Sequence, residues 1–307
     1  MNPRLKRWAF AAAAGSGYLA LRRRVTRGGF RIVTYHGVDT ADHPVINFDR
    51  LQTSPDLFTL QLEALARAFR VVPLADAVRS WREQGVWPSG ALAVTFDDGY
   101  RNNLEVAAPI LKRLGVPATF FVTAGFVDGT ARPWWYDVRQ WVAGRNQAVE
   151  QARRVAADYE ARLRPMDELT RGKALRAMDV DGGGPLPYPF LSAAQCRQLL
   201  DQGFDVQGHG GTHASFSGES AGRVEEEIRA SAAFVRSLGR EPWALAYPYG
   251  HVPADMAAAH RAMTANGFKA AFTTQTGSNG PAVDIWQLRR WDVHGGYSAQ
   301  ALLARVS

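Results

Sequence analysis

The chain has 307 residues, 46% of them hydrophobic, enough to bury one substantial core. A net charge of +7 invites a nucleic-acid partner, but residues 1–31 carry eight Lys or Arg and no acid, which leaves 28 basic against 29 acidic residues in the remainder. A near-neutral body offers no basic face to track phosphates, which argues against nucleic acid, and the single Cys196 excludes an internal disulfide without deciding the compartment.

The first element in chain order is the tail, residues 1–29. It opens with Met1-Asn2-Pro3-Arg4-Leu5-Lys6-Arg7, runs through 14 residues (8–21) of apolar character, and closes on Arg22-Arg23-Arg24. That run is short of the ~20 residues a membrane span needs. As a signal peptide it has the basic start but no clear small-residue cleavage site, and Gly15 and Gly17 weaken its apolar region. The expectation is a short anchor or interfacial segment drawn to anionic membrane, which places the protein at the cell envelope; the alternative is a disordered basic tail on a cytoplasmic protein.

Strand-like runs follow at 31–35, 91–96, 118–123, 204–207, 244–247, 269–274 and 287–293. Apolar residues fall at helical spacing over 57–68, 104–114 and 223–238. Ser192 sits where an N-cap belongs before a helix over 193–201, and Gly203 where that helix would stop. Strands alternating with helices predict an α/β fold with a parallel sheet. Residues 128–190 break the repeat. They open with Pro133-Trp134-Trp135-Tyr136-Asp137, continue as a charged, Ala-rich helical stretch and close on Gly182-Gly183-Gly184-Pro185. Their apolar content is low for an independent core, so they read as an insertion. Trp134 and Trp135 either stack on sugar rings or anchor this insertion to the body, the second being preferred.

The chemistry concentrates at two places. Ala91-Leu92-Ala93-Val94 leads into Thr95-Phe96-Asp97-Asp98-Gly99, so two adjacent carboxylates emerge where a buried strand stops. Burying an ionised carboxylate is costly without compensation, and two side by side suggest a metal, a shared proton or both, against a plain strand-to-turn boundary. Downstream, His209 and His213 stand four apart with two glycines between them, which favours a tight loop over a helix. With Asp98 they form a two-His, one-carboxylate set with room for water, the donor set of a catalytic metal site and not of a closed structural one.

Thr95-Phe96-Asp97-Asp98-Gly99-Tyr100 followed by His209-x-x-x-His213 resembles the polysaccharide deacetylases, the NodB-type homology domain of carbohydrate esterase family 4. The resemblance covers about residues 30–295 and extends to Tyr35-His36-Gly37-Val38, Pro117-Ala118-Thr119-Phe120-Phe121-Val122 and Ala246-Tyr247-Pro248-Tyr249-Gly250. It implies a distorted (β/α)7-type barrel forming one catalytic domain over residues 30–307, with residues 128–190 inserted near the barrel mouth. The strand ends then fall into a pattern, because His36, Asp97, Asp98, His209 and Tyr249 each lie just past one, on the active-site face of such a barrel.

The implied reaction is hydrolytic N-deacetylation of an N-acetylated polysaccharide or oligosaccharide, with release of acetate. The implied cofactor is a divalent metal held by Asp98, His209 and His213; Zn²⁺ is expected, with Co²⁺ or Ni²⁺ as alternatives. Asp97 matches the family's general base, and Tyr249 the position whose backbone N–H stabilises the oxyanion. The Tyr-His-x-Val opening is similar to a branch that includes deacetylases of poly-N-acetylglucosamine, in which the general-acid His lies near the N-terminus. No Leu-x-His occurs late in this chain, Val293-His294 being a weak imitation, so His36 is the expected acid and a capped strand-end histidine the alternative.

Two departures from the family pattern stand out. Gly210 occupies the position that commonly holds Ser or Thr after the first metal histidine, and is expected to loosen the loop. Ala246 stands where the third motif often begins with Arg, so an arginine orienting the base must come from elsewhere, with Arg290 of Leu288-Arg289-Arg290-Trp291 the candidate. These departures keep a degenerate carbohydrate-binding protein on the same fold in play, and a separate reading keeps the enzyme, as an amidase, but changes the substrate to a non-sugar cyclic amide.

Overall fold

Runs rich in Val, Ile, Phe and Thr become the strands of a curled parallel sheet in the computed structural model, which describes residues 29–307 apart from Asp42, Asn146, Gln147 and Asp181. The tail expected as an anchor, residues 1–29, lies outside the described residues except for Gly29. No helix among the described residues is long and apolar enough to cross a membrane.

The strands are β1 (Arg31–Tyr35), β2 (Gly37–Val38), β3 (Gln52–Thr53), β4 (Arg70–Val71), β5 (Ala91–Phe96), β6 (Ala118–Val122), β7 (Asp205–Gly208), β8 (Ala244–Ala246), β9 (Ala270–Phe272) and β10 (Trp291–Asp292). The main sheet runs β10-β1-β5-β6-β7-β8-β9, with β4 also paired to β5, while β2 and β3 form a small pair of their own. Every residue of β1, β5 and β6 is buried, as expected of parallel strands covered on both faces. Alternate side chains feed two cores. Val33, Tyr35, Val94, Phe96 and Phe120 pack with Phe58, Leu62 and Leu65, while Ile32, Ala93, Phe121, Ala246, Phe272 and Leu288 form the second cluster.

Register sets the site. Tyr35 pairs with Phe96, and Phe96 with Phe120, so β1 and β5 end level with one another and β6 runs two residues further. The run expected as one strand over 287–293 is interrupted. Leu288 bridges to Phe272 of β9, the Arg289 and Arg290 amides bond instead to Asn279 Oδ1 and the Gln275 carbonyl, and Trp291–Asp292 then pairs with β1. One bent segment thereby links the last strand to the first and turns Arg290 inward.

The helices are α1 (Pro55–Ala68), α2 (Leu74–Gln84), α3 (Ala108–Leu114), α4 (Ala124–Asp128), α5 (Trp134–Ala143), α6 (Val149–Leu163), α7 (Glu168–Ala177), α8 (Ala193–Asp201), α9 (Ala221–Ser237), α10 (Met256–Ala265) and α11 (Ala299–Val306). The helix expected over 104–114 begins as a π-helical turn, Asn103–Ala107, before α3. Pro109, without an N–H, cannot continue the regular ladder there. Ser192 caps α8 as expected, in a full capping box with Gln195.

Helices α5 and α6 lie within the stretch that breaks the repeat. Their apolar residues Trp134, Trp135, Tyr136, Val138, Ala152 and Ala156 share a cluster with Val45, Ile46, Tyr100 and Phe126 of the body. Buried Arg139 reinforces the seam, reaching Glu160 Oε1 at 2.5 Å, Asp49 Oδ2 at 2.6 Å and the Ile46 carbonyl at 2.6 Å.

Candidate active site

The chain leaves β5 through two consecutive left-handed residues, Asp98 (φ 72°) and Gly99 (φ 85°). Asp tolerates that conformation better than most residues. At position 99 a Cβ would sit 2.7 Å from Val122 Cγ1, so glycine is required there. This turn delivers Asp97 and Asp98 to the C-terminal end of the sheet, both almost fully buried.

His209 follows β7 directly, and His213 closes the next loop with φ 64°. Asp98 Oδ1 lies 3.1 Å from His213 Nε2 and 3.3 Å from His209 Nε2. One ligand atom from each of these three buried residues falls within 4.8 Å of the others. His209 Nδ1 is 2.9 Å from the Ala246 carbonyl, which can only accept, so Nδ1 carries a proton and Nε2 is the atom turned to Asp98. Burial opposes ionisation of Asp98, but hydrogen bonds from His209 and His213 override it and hold the carboxyl well below its ordinary range. Burial lowers the pKa of His213, outweighing the pull of Asp98. An ionised carboxylate beside neutral imidazole is the protonation state metal ligands need, and the set fits a divalent cation.

Asp97 is held differently. Arg290 Nη1 and Nη2 each lie 2.7 Å from one of its oxygens, a bidentate fork. Arg290 is fully buried, and its Nε donates to the Thr273 carbonyl at 2.9 Å while Nη1 also reaches Thr34 Oγ1 at 3.1 Å. Burial raises the cost of the Asp97 charge, but Arg290, then His209 and His36, outweigh it and keep the carboxyl below its ordinary range. The arginine missing at Ala246 is thus met by one from the far end of the chain.

His36 stands at the end of β1 with its Nδ1 3.7 Å from Asp292 Oδ1. Burial disfavours its cation, but Asp98, Asp292 and Asp97 together outweigh that and raise its pKa above the ordinary 6.5. Asp292 was not singled out from the sequence. The available signal was its place near the end of a strand-like run, as Asp97 stands just past the end of β5. His294 lines the cavity too, but its Nδ1 is taken by the Gly296 N–H at 3.1 Å.

Tyr249 adopts φ 58° in the turn Pro248–Gly250, and its phenol accepts from Trp134 Nε1 at 2.9 Å. Burial pushes that phenol up to about 12, so it stays protonated at neutral pH. Trp134 and Trp135 are 8% and 7% exposed, anchored as preferred above, and they wall the cavity where a sugar platform would stand open. The cavity measures about 380 Å³ and is lined by His36, Asp97, Asp98, His209, His213 and Tyr249, with Trp134, Trp135 and Arg164 closing it from the helical side. That volume suits a small ligand or one sugar residue of a longer one.

The family model described as "Polysaccharide deacetylase" matches residues 85–268, a stretch carrying Asp97, Asp98, His209, His213 and Tyr249. The chain belongs to the polysaccharide deacetylase family. Membership places it among hydrolytic polysaccharide deacetylases. Among solved structures, the Streptococcus pyogenes deacetylase PplD in complex with acetate is similar at TM-score 0.65 and 18% identity, over 92% of this chain and 100% of that one. IcaB from Ammonifex degensii is similar at TM-score 0.61 and 20% identity, over 91% and 98%. The de-N-acetylase from Aggregatibacter actinomycetemcomitans is similar at TM-score 0.58 and 16% identity, over 88% and 96%. At such identities the likeness shows a shared fold. No curated protein matches the chain. His36, Arg290 and Asp292 lie outside the matched residues of this deacetylase domain, so their places in the site rest on geometry alone.

Proposed function

We propose that the chain is a metal-dependent deacetylase that hydrolyses the N-acetyl group of an N-acetylglucosamine-type glycan, with Asp98, His209 and His213 as metal ligands. The observation that carries this reading is the arginine-clamped Asp97 standing beside the buried Asp98–His209–His213 set. A divalent cation, Zn²⁺ by preference, would supply Lewis acidity to the acetyl carbonyl and the attacking water. Asp97, ionised and fixed by Arg290, takes the proton as water attacks. The Tyr249 backbone N–H donates to the developing oxyanion. His36, cationic at that stage, protonates the departing amine. The products are acetate and a sugar amine that is cationic at neutral pH. The basic and apolar pattern of residues 1–29 supports a location at the membrane surface of the cell envelope.

Replacing Asp98 or His213 with Ala is expected to abolish stoichiometric metal binding, measured by equilibrium dialysis, together with acetate release. Retention of either by both variants contradicts the ligand set.

The pH profile follows from His36. It acts as an acid only while protonated, so with its pKa raised activity is expected to persist to higher pH than an ordinary imidazole allows and to fall as pH rises through the raised value. Asp292→Asn removes one of the carboxylates responsible and is expected to move the alkaline limb of kcat/KM to lower pH at saturating metal. An unmoved limb would detach His36 from that role.

A further inference from the structure

The loop from His209 to His213 includes two left-handed residues, Gly210 (φ 81°) and His213 (φ 64°), a conformation glycine adopts freely and other residues seldom do. Its carbonyls are bonded from one side: Ala124 N donates to Gly210 O at 3.3 Å, Gly125 N to Gly211 O at 2.7 Å and Thr123 Oγ1 to His209 O at 3.1 Å. Two of its N–H groups, those of Gly211 and Thr212, are bonded from the other side by a single carboxylate. Glu227 of α9, 1% exposed, accepts Gly211 N at 2.8 Å, Thr212 N at 2.8 Å and Thr212 Oγ1 at 2.8 Å. Arg223, one turn earlier, lies 3.0 Å from Glu227 and 2.6 Å from Glu168 of α7, and balances the buried charge.

Each loop contact of Glu227 lands on Gly211 or Thr212, two of the three residues between the histidines, and the glycines let it approach. A Cβ at 210 would meet Glu227 Oε2 at 3.0 Å and Pro248 Cγ at 3.1 Å, and one at 211 would meet Glu227 Oε1 at 3.2 Å. Gly210 was expected to leave the loop loose. Instead a charge-assisted clamp from outside the loop does the holding, and such bonds are roughly twice as strong as neutral ones.

We infer that Glu227 is a positioning residue that sets metal affinity: it fixes the loop so that both imidazoles face Asp98 before an ion arrives. The inference rests on the metal reading above. Without the clamp, ordering the loop falls to the binding event, and by analogy with other outer-shell partners affinity drops about tenfold or more.

The test is Zn²⁺ affinity of the full chain, measured by competition with a chromophoric chelator and read beside the melting temperature of the metal-free protein. Glu227→Gln, which removes the charge but keeps the shape, is expected to bind Zn²⁺ about tenfold more weakly. Glu227→Asp keeps the charge but withdraws the oxygens from the loop; it is expected to weaken binding similarly, and it decides the matter if Glu227→Gln does not fold. A purely structural role would lower the melting temperature and leave the affinity of the folded protein unchanged; that result overturns the inference. A wild-type chain that binds no Zn²⁺ contradicts the metal reading itself, and this inference with it.

Discussion

Arg290→Met is expected to be the most destabilising single change at this site, lowering folding stability by about 3–5 kcal/mol, because it leaves one partner of a buried ion pair unanswered. Arg290 is fully buried, and with it go both donors of the fork on the almost fully buried Asp97. The same change removes the group that holds Asp97 ionised, so activity is expected to collapse as well. Thermal melting and acetate release read the two effects separately. The double variant Arg290→Met with Asp97→Asn removes both charges and is expected to recover part of the lost stability and none of the activity. Wild-type stability in Arg290→Met would show that the pair is not closed to solvent in solution.

Asp97→Asn tests the proposed base. It is expected to cut kcat by about 10²–10⁴-fold, the usual contribution of general acid–base catalysis, while Zn²⁺ affinity is retained because Asp98, His209 and His213 are untouched. The amide still accepts one bond from Arg290 but leaves that cation without its counter-charge, so the variant must be assayed well below its melting temperature. Substantial activity in Asp97→Asn removes Asp97 from the role of base.

The strands were legible because buried parallel strands leave contiguous apolar runs: 31–35 and 91–96 coincide with β1 and β5. The run at 287–293 misled in detail, since nothing local shows that Arg290 must turn inward to meet Asp97. Its part in the site could be read only indirectly, from the arginine missing at Ala246. The proposed ligands Asp98, His209 and His213 were legible because they lie just past strand-like runs, His213 in the loop after His209, and carry metal-binding chemistry. Asp292 and Glu227 were not. One acts across the sheet on His36, and the other lies among three consecutive glutamates, Glu225-Glu226-Glu227, of which only the last is buried. Side-chain burial on a helix is decided by what packs against it, and the loop that Glu227 clamps is shaped by tertiary contacts. The short helices α2, α10 and α11 were also unannounced, and the tryptophans that wall the cavity take that role only once α5 is docked.

The most direct test of the account is acetate release from N-acetylglucosamine oligomers by the Zn²⁺-loaded chain, by the same protein after chelation, and after reloading. The account predicts acetate and free amine in equal amounts from the loaded protein, loss of both on chelation, and recovery of both on reloading. Release that chelation leaves unchanged would contradict the metal reading, and an inert protein with one Zn²⁺ bound per chain would contradict the N-acetylglucosamine-type substrate.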